Sequence, residues 1–285
     1  MKARSFSYAR PKTMAEAFAV YEAAGEACYI AGGQSLVPTL ALRLQAPEVL
    51  IDIAHISELL GIRLEDGWLR LGALTRHAET LTDPLIAKHA PLLTAAAPHV
   101  AHPAIRNKGT LGGSVALADP AAEFPAMMLA LGAEIEIANA AGTRRVPADD
   151  YFIDLYQTAL EPGELLTACW IPALRPGQRW AFDELARRRG DYAMVGCGLL
   201  ADMAGDKVEA IRIAFLAVGA TPLRAHAAEA ALAGRTLDAA AILAAQAALD
   251  ADLDPPADES MPASARRHLA RVLLGRLLGT LQATP

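Results

Sequence analysis

Short strand-like apolar runs and helical patterns alternate along most of this chain, and helical spacing takes over towards its C-terminus. Thr13 followed by Glu16 forms a capping box, which predicts a helix running to about Ala24. Ala27 to Ile30 reads as a short buried strand, and Val49 to Ile53 as another. Gly61 to Ala73 alternates around Asp66-Gly67, a strong hairpin signal. Asp83-Pro84 opens a helix with proline at its first position, which Pro91 should end or kink. Glu134 to Ala138 alternates as a half-buried strand, and Glu164 to Ile171 reads as the last strand of a larger domain. Pro172, Pro176 and Gly177 mark a boundary. Beyond it the pattern predicts strands near 180–187, 194–203 and 207–219, then an alanine-rich helical stretch from Ala225 to Leu249. A basic amphipathic helix from Ala263 to Leu281 is expected to pack on its own domain's sheet. No internal repeat or low-complexity linker interrupts the series.

Composition narrows the function. The 285 residues are 53% hydrophobic and 20% charged, an ordinary globular balance long enough for two domains. A net charge of -6 argues against nucleic acid as a partner, and Arg187-Arg188-Arg189 reads as a solvated strand end or a protein contact. No apolar stretch reaches the roughly 18 residues needed to cross a bilayer. No secretory signal pattern is visible, so a cytoplasmic location is expected. Cys28, Cys169 and Cys197 are scattered, without C-x-x-C spacing, and fit reduced thiols better than cluster ligands.

Two glycine pairs carry the chemistry: Ala31-Gly32-Gly33-Gln34-Ser35-Leu36 and Thr110-Leu111-Gly112-Gly113-Ser114. Paired glycines reach left-handed conformations and admit a ligand close to the backbone, where consecutive N–H groups converge on an anion. Two such nests, each with hydroxyl residues, suggest a diphosphate held from both sides. The competing reading is a pair of tight turns. Neither pair completes a G-x-G-x-x-G fingerprint or a P-loop. Ser35 is placed to cap a following helix with Pro38 in its first turn. Neither Ser35 nor Ser114 lies in a nucleophile elbow. His99 and His102 are three apart but lack a third ligand at a usual spacing, and the flanking Pro98 and Pro103 oppose a regular helix. Glu123 falls between Pro120 and Pro125, either as a helix-start carboxylate, stabilised by about 0.3–1 kcal/mol, or as a ligand to hydroxyl groups.

Three segments carry a resemblance along essentially the whole chain: AGGQSLVPTLALRL (31–44), AHPAIRNKGTLGGSVALADPAAEFPA (101–126) and ARRRGDYAMVGCG (186–198). They resemble the FAD-binding subunits of molybdenum hydroxylases, such as the medium subunit of carbon monoxide dehydrogenase and the flavin part of xanthine dehydrogenase. The resemblance implies an α+β FAD-binding fold over 1–175, with subdomains of about 1–54 and 55–175. A C-terminal domain of antiparallel sheet plus helices over 176–285 should follow. FAD is expected across the cleft, its diphosphate between the glycine turns. The resemblance assigns Glu123 to ribityl or ribose hydroxyls, Tyr192 to the isoalloxazine face, and Leu165 and Leu166 to the ring's lining. It implies an electron relay, from [2Fe-2S] clusters in a small subunit through FAD to a terminal acceptor. A molybdenum-pterin large subunit would act on the substrate, in a dimer of heterotrimers. Gln34 stands where several relatives carry histidine, keeping hydrogen bonding but losing a titrating proton. The cysteine-rich insertion of some relatives is missing. A stand-alone flavin oxidase and a scaffold that has lost its flavin are the alternatives, and the substrate stays open.

Overall fold

Strand β1 (Ser7–Ala9) leads into helix α1 (Met14–Ala23), where Thr13 Oγ1 accepts the Glu16 N–H at 3.2 Å as the capping box predicts. This geometry comes from a computed structural model that describes residues 2–257 and 261–283. Strand β2 (Ala27–Ile30), helix α2 (Leu36–Ala41) and strand β3 (Val49–Asp52) complete a first unit. Its three strands form a parallel sheet in the order β1-β3-β2. Ala17, Phe18, Ile51 and Ile53 pack there with Leu165 and Ala138 from the next sheet, so the two units share a core.

The second unit begins with β4 (Ile62–Glu65) and β5 (Trp68–Gly72). Asp66 and Gly67 take φ of 48° and 81°, the left-handed pair that a two-residue hairpin requires. Pro91 does more than end α3 (Pro84–His89): it starts a separate helix, α4 (Pro91–Ala96), as its first residue. There its missing N–H leaves no bond unmade. Helices α5 (Pro103–Arg106), α6 (Leu111–Leu117) and α7 (Glu123–Leu131) follow, then β6 (Glu134–Asn139), β7 (Gly142–Pro147) and α8 (Ala148–Tyr151). A small hairpin, β8 (Phe152–Asp154) with β9 (Gln157–Thr158), precedes β10 (Leu165–Pro172). The antiparallel sheet runs β4-β5-β10-β6-β7, with β10 at its centre and buried from Leu165 to Ile171.

The last unit is an antiparallel sheet of β11 (Gln178–Ala186), β12 (Ala193–Ala204), β13 (Lys207–Leu216) and β14 (Leu223–Arg224). Strand β13 stops at Leu216, short of the expected 219, because Ala217 turns left-handed at φ 62° and the chain returns as β14. The alanine-rich stretch is two helices, α9 (His226–Leu232) and α10 (Ala239–Asp252). Gly234 at φ 75° breaks it, and Asp238 caps the second helix through the Ala241 N–H at 2.8 Å. Helix α11 (Ala263–Ala283) covers β11 and β12.

Helix α7 is buried from Phe124 to Leu131 because both sheets need it. Gly198 of β12 makes room: a Cβ there would stand 2.4 Å from the Met127 side chain. A polar clamp holds the same seam. Asp149 of α8 accepts from Arg212 at 2.8 and 2.9 Å and from Arg224 at 3.0 Å, while Arg212 Nε donates to Leu129 O at 2.8 Å. These groups are partly solvated, so the clamp stabilises by only about 1 kcal/mol. Asp149→Ala is expected to lower Tm by about 2–4 °C. An unchanged melting curve would remove the clamp from the account of how the units dock. Among the described residues no helix is long and apolar enough to cross a membrane.

Candidate functional site

Strand β2 ends at Ile30, and Gly33 at φ 69° swings the chain towards α2. Gly32 beside it is needed for proximity: a Cβ there would lie 2.2 Å from Lys108 O and 2.8 Å from Gly109 Cα. The first glycine turn is therefore pressed against the loop that leads to the second. Gln34 braces it, its amide nitrogen donating to Gly32 O at 3.0 Å. Bonded donors resume with the Val37 N–H, which reaches Gly33 O at 3.0 Å. The N–H groups of Gly32, Gly33, Gln34, Ser35 and Leu36 find no acceptor among the described residues. Ser35 occupies the position before α2 but makes no capping bond, because its backbone is already helical (φ −103°, ψ −44°). An N-cap side chain reaches its target from an extended backbone. What this turn offers an anion is a row of free backbone donors.

The second pair is built differently from the expected nest. Gly112 and Gly113 lie inside the first turn of α6, and neither is left-handed. The Leu111 N–H donates to Thr75 O (2.8 Å), Gly112 to Ala73 O (2.9 Å), Gly113 to Thr110 Oγ1 (3.0 Å) and Ser114 to Thr110 O (3.0 Å). With these donors committed, the turn presents the bare face of Gly113 and the Ser114 hydroxyl. Gly112 serves packing, since a Cβ there would meet Ala73 at 2.6 Å.

A cleft of about 550 Å³ lies between the two turns. Ala31, Gly32, Gly33, Gln34, Ser35, Leu36, Thr110, Gly112, Gly113, Ser114, Glu123, Leu165, Leu166 and Tyr192 all line it. Leu165 and Leu166 open β10 as an apolar floor, where the ladder to β6 is interrupted by a bulge after Leu166. Tyr192 stands exposed on the β11–β12 loop, its hydroxyl donating to Asp119 Oδ2 at 3.2 Å. Partial desolvation of its hydroxyl end beside the cleft and the Asp119 charge push the phenol up to about 12, so at neutral pH it is a donor.

Sequence reasoning missed several groups here. Asp119 is buried and anchors Tyr192. His77 sits in the cleft wall, stacked on Phe124 at 5.0 Å, with Nδ1 unpartnered. Burial, then Arg106 and Arg76, pull its pKa to about 4, so the imidazole is neutral. Arg106 donates to Val100 O at 2.8 Å and Ala101 O at 2.9 Å, holding the loop on which Ala101 turns left-handed at φ 42°. Its acceptors are carbonyls, which leave no side-chain signal in a sequence. Glu164 is fixed by Arg144 at 2.6 and 2.9 Å. The two histidines weighed as ligands separate: His99 pairs with Glu184 at 3.1 Å, and His102 packs against Gly190. The arrangement suits an elongated ligand with an anionic middle and a flat apolar end, in a cleft of ordinary cofactor size.

The chain is similar to known proteins along nearly its whole length. Residues 4–174 match the FAD binding domain in molybdopterin dehydrogenase, and residues 180–281 match the CO dehydrogenase flavoprotein C-terminal domain. The carbon monoxide dehydrogenase medium chain of Afipia carboxidovorans is 39% identical over 280 residues, covering 98% of this chain and 97% of that one. Among solved structures, carbon monoxide dehydrogenase from Hydrogenophaga pseudoflava superposes with a TM-score of 0.96 at 38% identity, covering 99% of each chain. Quinoline 2-oxidoreductase from Pseudomonas putida 86 superposes with a TM-score of 0.94 at 40% identity, covering 99% of this chain and 98% of that one. With both matched regions in order and relatives matched from end to end, this chain belongs to the family of FAD-binding subunits of the molybdopterin-dependent dehydrogenases.

Proposed function

We propose that this chain is the FAD-carrying electron-transfer subunit of a cytoplasmic molybdenum hydroxylase, assembled with an iron–sulfur chain and a molybdopterin chain as a dimer of heterotrimers. The observation that carries the FAD assignment is the row of free N–H groups from Gly32 to Leu36, on residues that line a cleft with an apolar floor. A diphosphate satisfies those donors, with the Ser114 hydroxyl and the bare Gly113 face opposite. Glu123 takes ribityl or ribose hydroxyls. Leu165, Leu166 and Tyr192 take the ring and exclude water from it. The proposed units are 1–54 and 55–175, which meet at the cleft, and 176–285, which brings Tyr192 to its mouth.

Bound FAD supplies a centre that exchanges electrons singly or in pairs, which fits it between one-electron clusters and a terminal acceptor. The chain's own part is to bind, orient and shield. Its cysteines suit no cluster: Cys169 and Cys197 are buried, and burial raises the thiol pKa of all three. The clusters are therefore assigned to a partner. The names of the relatives, one for carbon monoxide and one for quinoline, support placing substrate choice outside this chain.

The test is the native mass, flavin and iron content of the protein tagged at its own locus and purified gently. An iron–sulfur chain and a molybdenum chain that co-purify in equal amounts with a flavin-bearing chain are the expected result. A lone flavoprotein would replace the relay with a stand-alone oxidase, and a lone colourless chain would replace it with a scaffold.

A further inference from the structure

The loop between β11 and β12 is pinned at its base and loose at its aromatic side chain. Gly190 takes φ 86°, and a Cβ there would lie 2.6 Å from His102 Cε1 and 3.0 Å from Ala101 O. Two residues on, the Tyr192 side chain leaves the body of the protein and is 72% exposed. Burial on that scale does little to fix a ring in place. What holds it is its hydroxyl, which donates to Asp119 Oδ2 at 3.2 Å.

Asp119 is the opposite case. It stands two residues after α6, is 9% exposed, and its other oxygen accepts the Ala121 N–H at 2.9 Å. Its own turn therefore fixes the carboxylate whether or not Tyr192 reaches it. Tyr156, exposed on the turn between β8 and β9 at φ 55°, faces the same carboxylate. Tyr192 also stands at a boundary. Ala121, Asp191 and Tyr192 line both the cleft and a second cavity of about 400 Å³, whose walls include Pro120, Met194 and Gly219. A phenol ring fixed there separates the two spaces, and a ring that swings about χ1 lets solvent pass between them.

We propose that Asp119 is a positioning residue for the cofactor site: by holding the Tyr192 hydroxyl it latches the phenol ring as a partition between the flavin end of the cleft and the second cavity. This deepens the FAD reading above and rests on it. The latch is a hydrogen bond to a charged acceptor, stronger than a neutral one. It opens without unfolding its surroundings, because neither the Gly190 contact nor the Asp119 turn depends on it. Closed, it keeps water and small solutes from one side of the ring. Open, it exposes that side through the second cavity.

The experiment measures quenching of flavin fluorescence by iodide in the complex purified with its flavin, read on the flavin that remains bound. Constant high ionic strength screens the charge that Asp119→Asn removes. Tyr192→Phe keeps the ring and deletes the hydroxyl. Asp119→Asn keeps an acceptor for the Ala121 N–H and weakens the bond to Tyr192. Each is expected to steepen the quenching slope by about threefold or more, since losing a charge-assisted bond shifts a closed-to-open ratio by about tenfold. Melting curves are expected to stay at the wild-type value. The double variant should add little to Tyr192→Phe, because both changes remove one bond. A wild-type slope in either single variant overturns the proposal, and so do additive effects in the double variant. Should Asp119→Asn not assemble, an unmoved slope in Tyr192→Phe overturns it. A wild-type complex without flavin overturns the FAD reading itself, a distinguishable result.

Discussion

Alanine at Gly32 is expected to strip the cofactor and destabilise the fold together, by about 2–4 kcal/mol. The added Cβ would sit 2.2 Å from Lys108 O and 2.8 Å from Gly109 Cα, all of it backbone, with no rotamer to relieve the clash. The opposing loop cannot retreat. A Cβ at Gly109 would itself lie 2.5 Å from the His77 ring, and that ring is stacked on the buried Phe124. Moving the loop would also break the His77 N–H bond to Gly109 O (3.1 Å) and the Arg76 bond to Lys108 O. The strain then appears in the first turn, which carries the free donors from Gly32 to Leu36. Flavin content per chain and thermal melting check this together. A Gly32→Ala protein with wild-type flavin and wild-type Tm would mean that the two loops are not in contact.

The local devices were legible in the sequence because each is self-contained. Thr13 with Glu16, Asp66 with Gly67, and Asp83 with Pro84 act over a few residues, and each forms as its spacing predicts. The alternation of β6 and the apolar run of β10 were legible for the same reason. The alanine-rich stretch misled because alanine favours helix everywhere, and only a left-handed Gly234 marks the break. The glycine pairs were found as motifs, but their division of labour was not. Which glycine faces a ligand and which a backbone depends on what the chain brings alongside: Lys108 against Gly32 and Ala73 against Gly112. The second pair lost its expected donors because Ala73 and Thr75, just past β5, and Thr110 before α6 accept them. Glu184 and His99 stand far apart in the chain and meet only when β11 pairs with its sheet beside α4. No local spacing encodes that meeting.

Leucine at Gly113 separates binding from folding, with the second large effect: about a hundredfold weaker flavin retention at nearly unchanged stability. Gly113 is exposed on the cleft side of α6, and its φ is not left-handed, so a side chain costs no backbone strain there. An added Cβ would meet only Thr110 Oγ1, at 2.8 Å, a contact that presses on the cap Thr110 makes to the Gly113 N–H and costs about 1 kcal/mol. Removing a glycine from a helix stabilises it by up to about 1 kcal/mol, which offsets part of that contact. The rest of the side chain must project into the cleft, across the space opposite the free donors of the first turn. A hundredfold loss corresponds to about 2.7 kcal/mol, modest for displacing a diphosphate from a row of backbone donors. Gly112→Ala is the control, because its Cβ meets Ala73 rather than the cleft, and it should lower Tm. A Gly113→Leu protein that holds flavin as the wild type does would show that the cofactor lies elsewhere. The pair of variants therefore distinguishes a cleft that is merely well packed from one that is occupied.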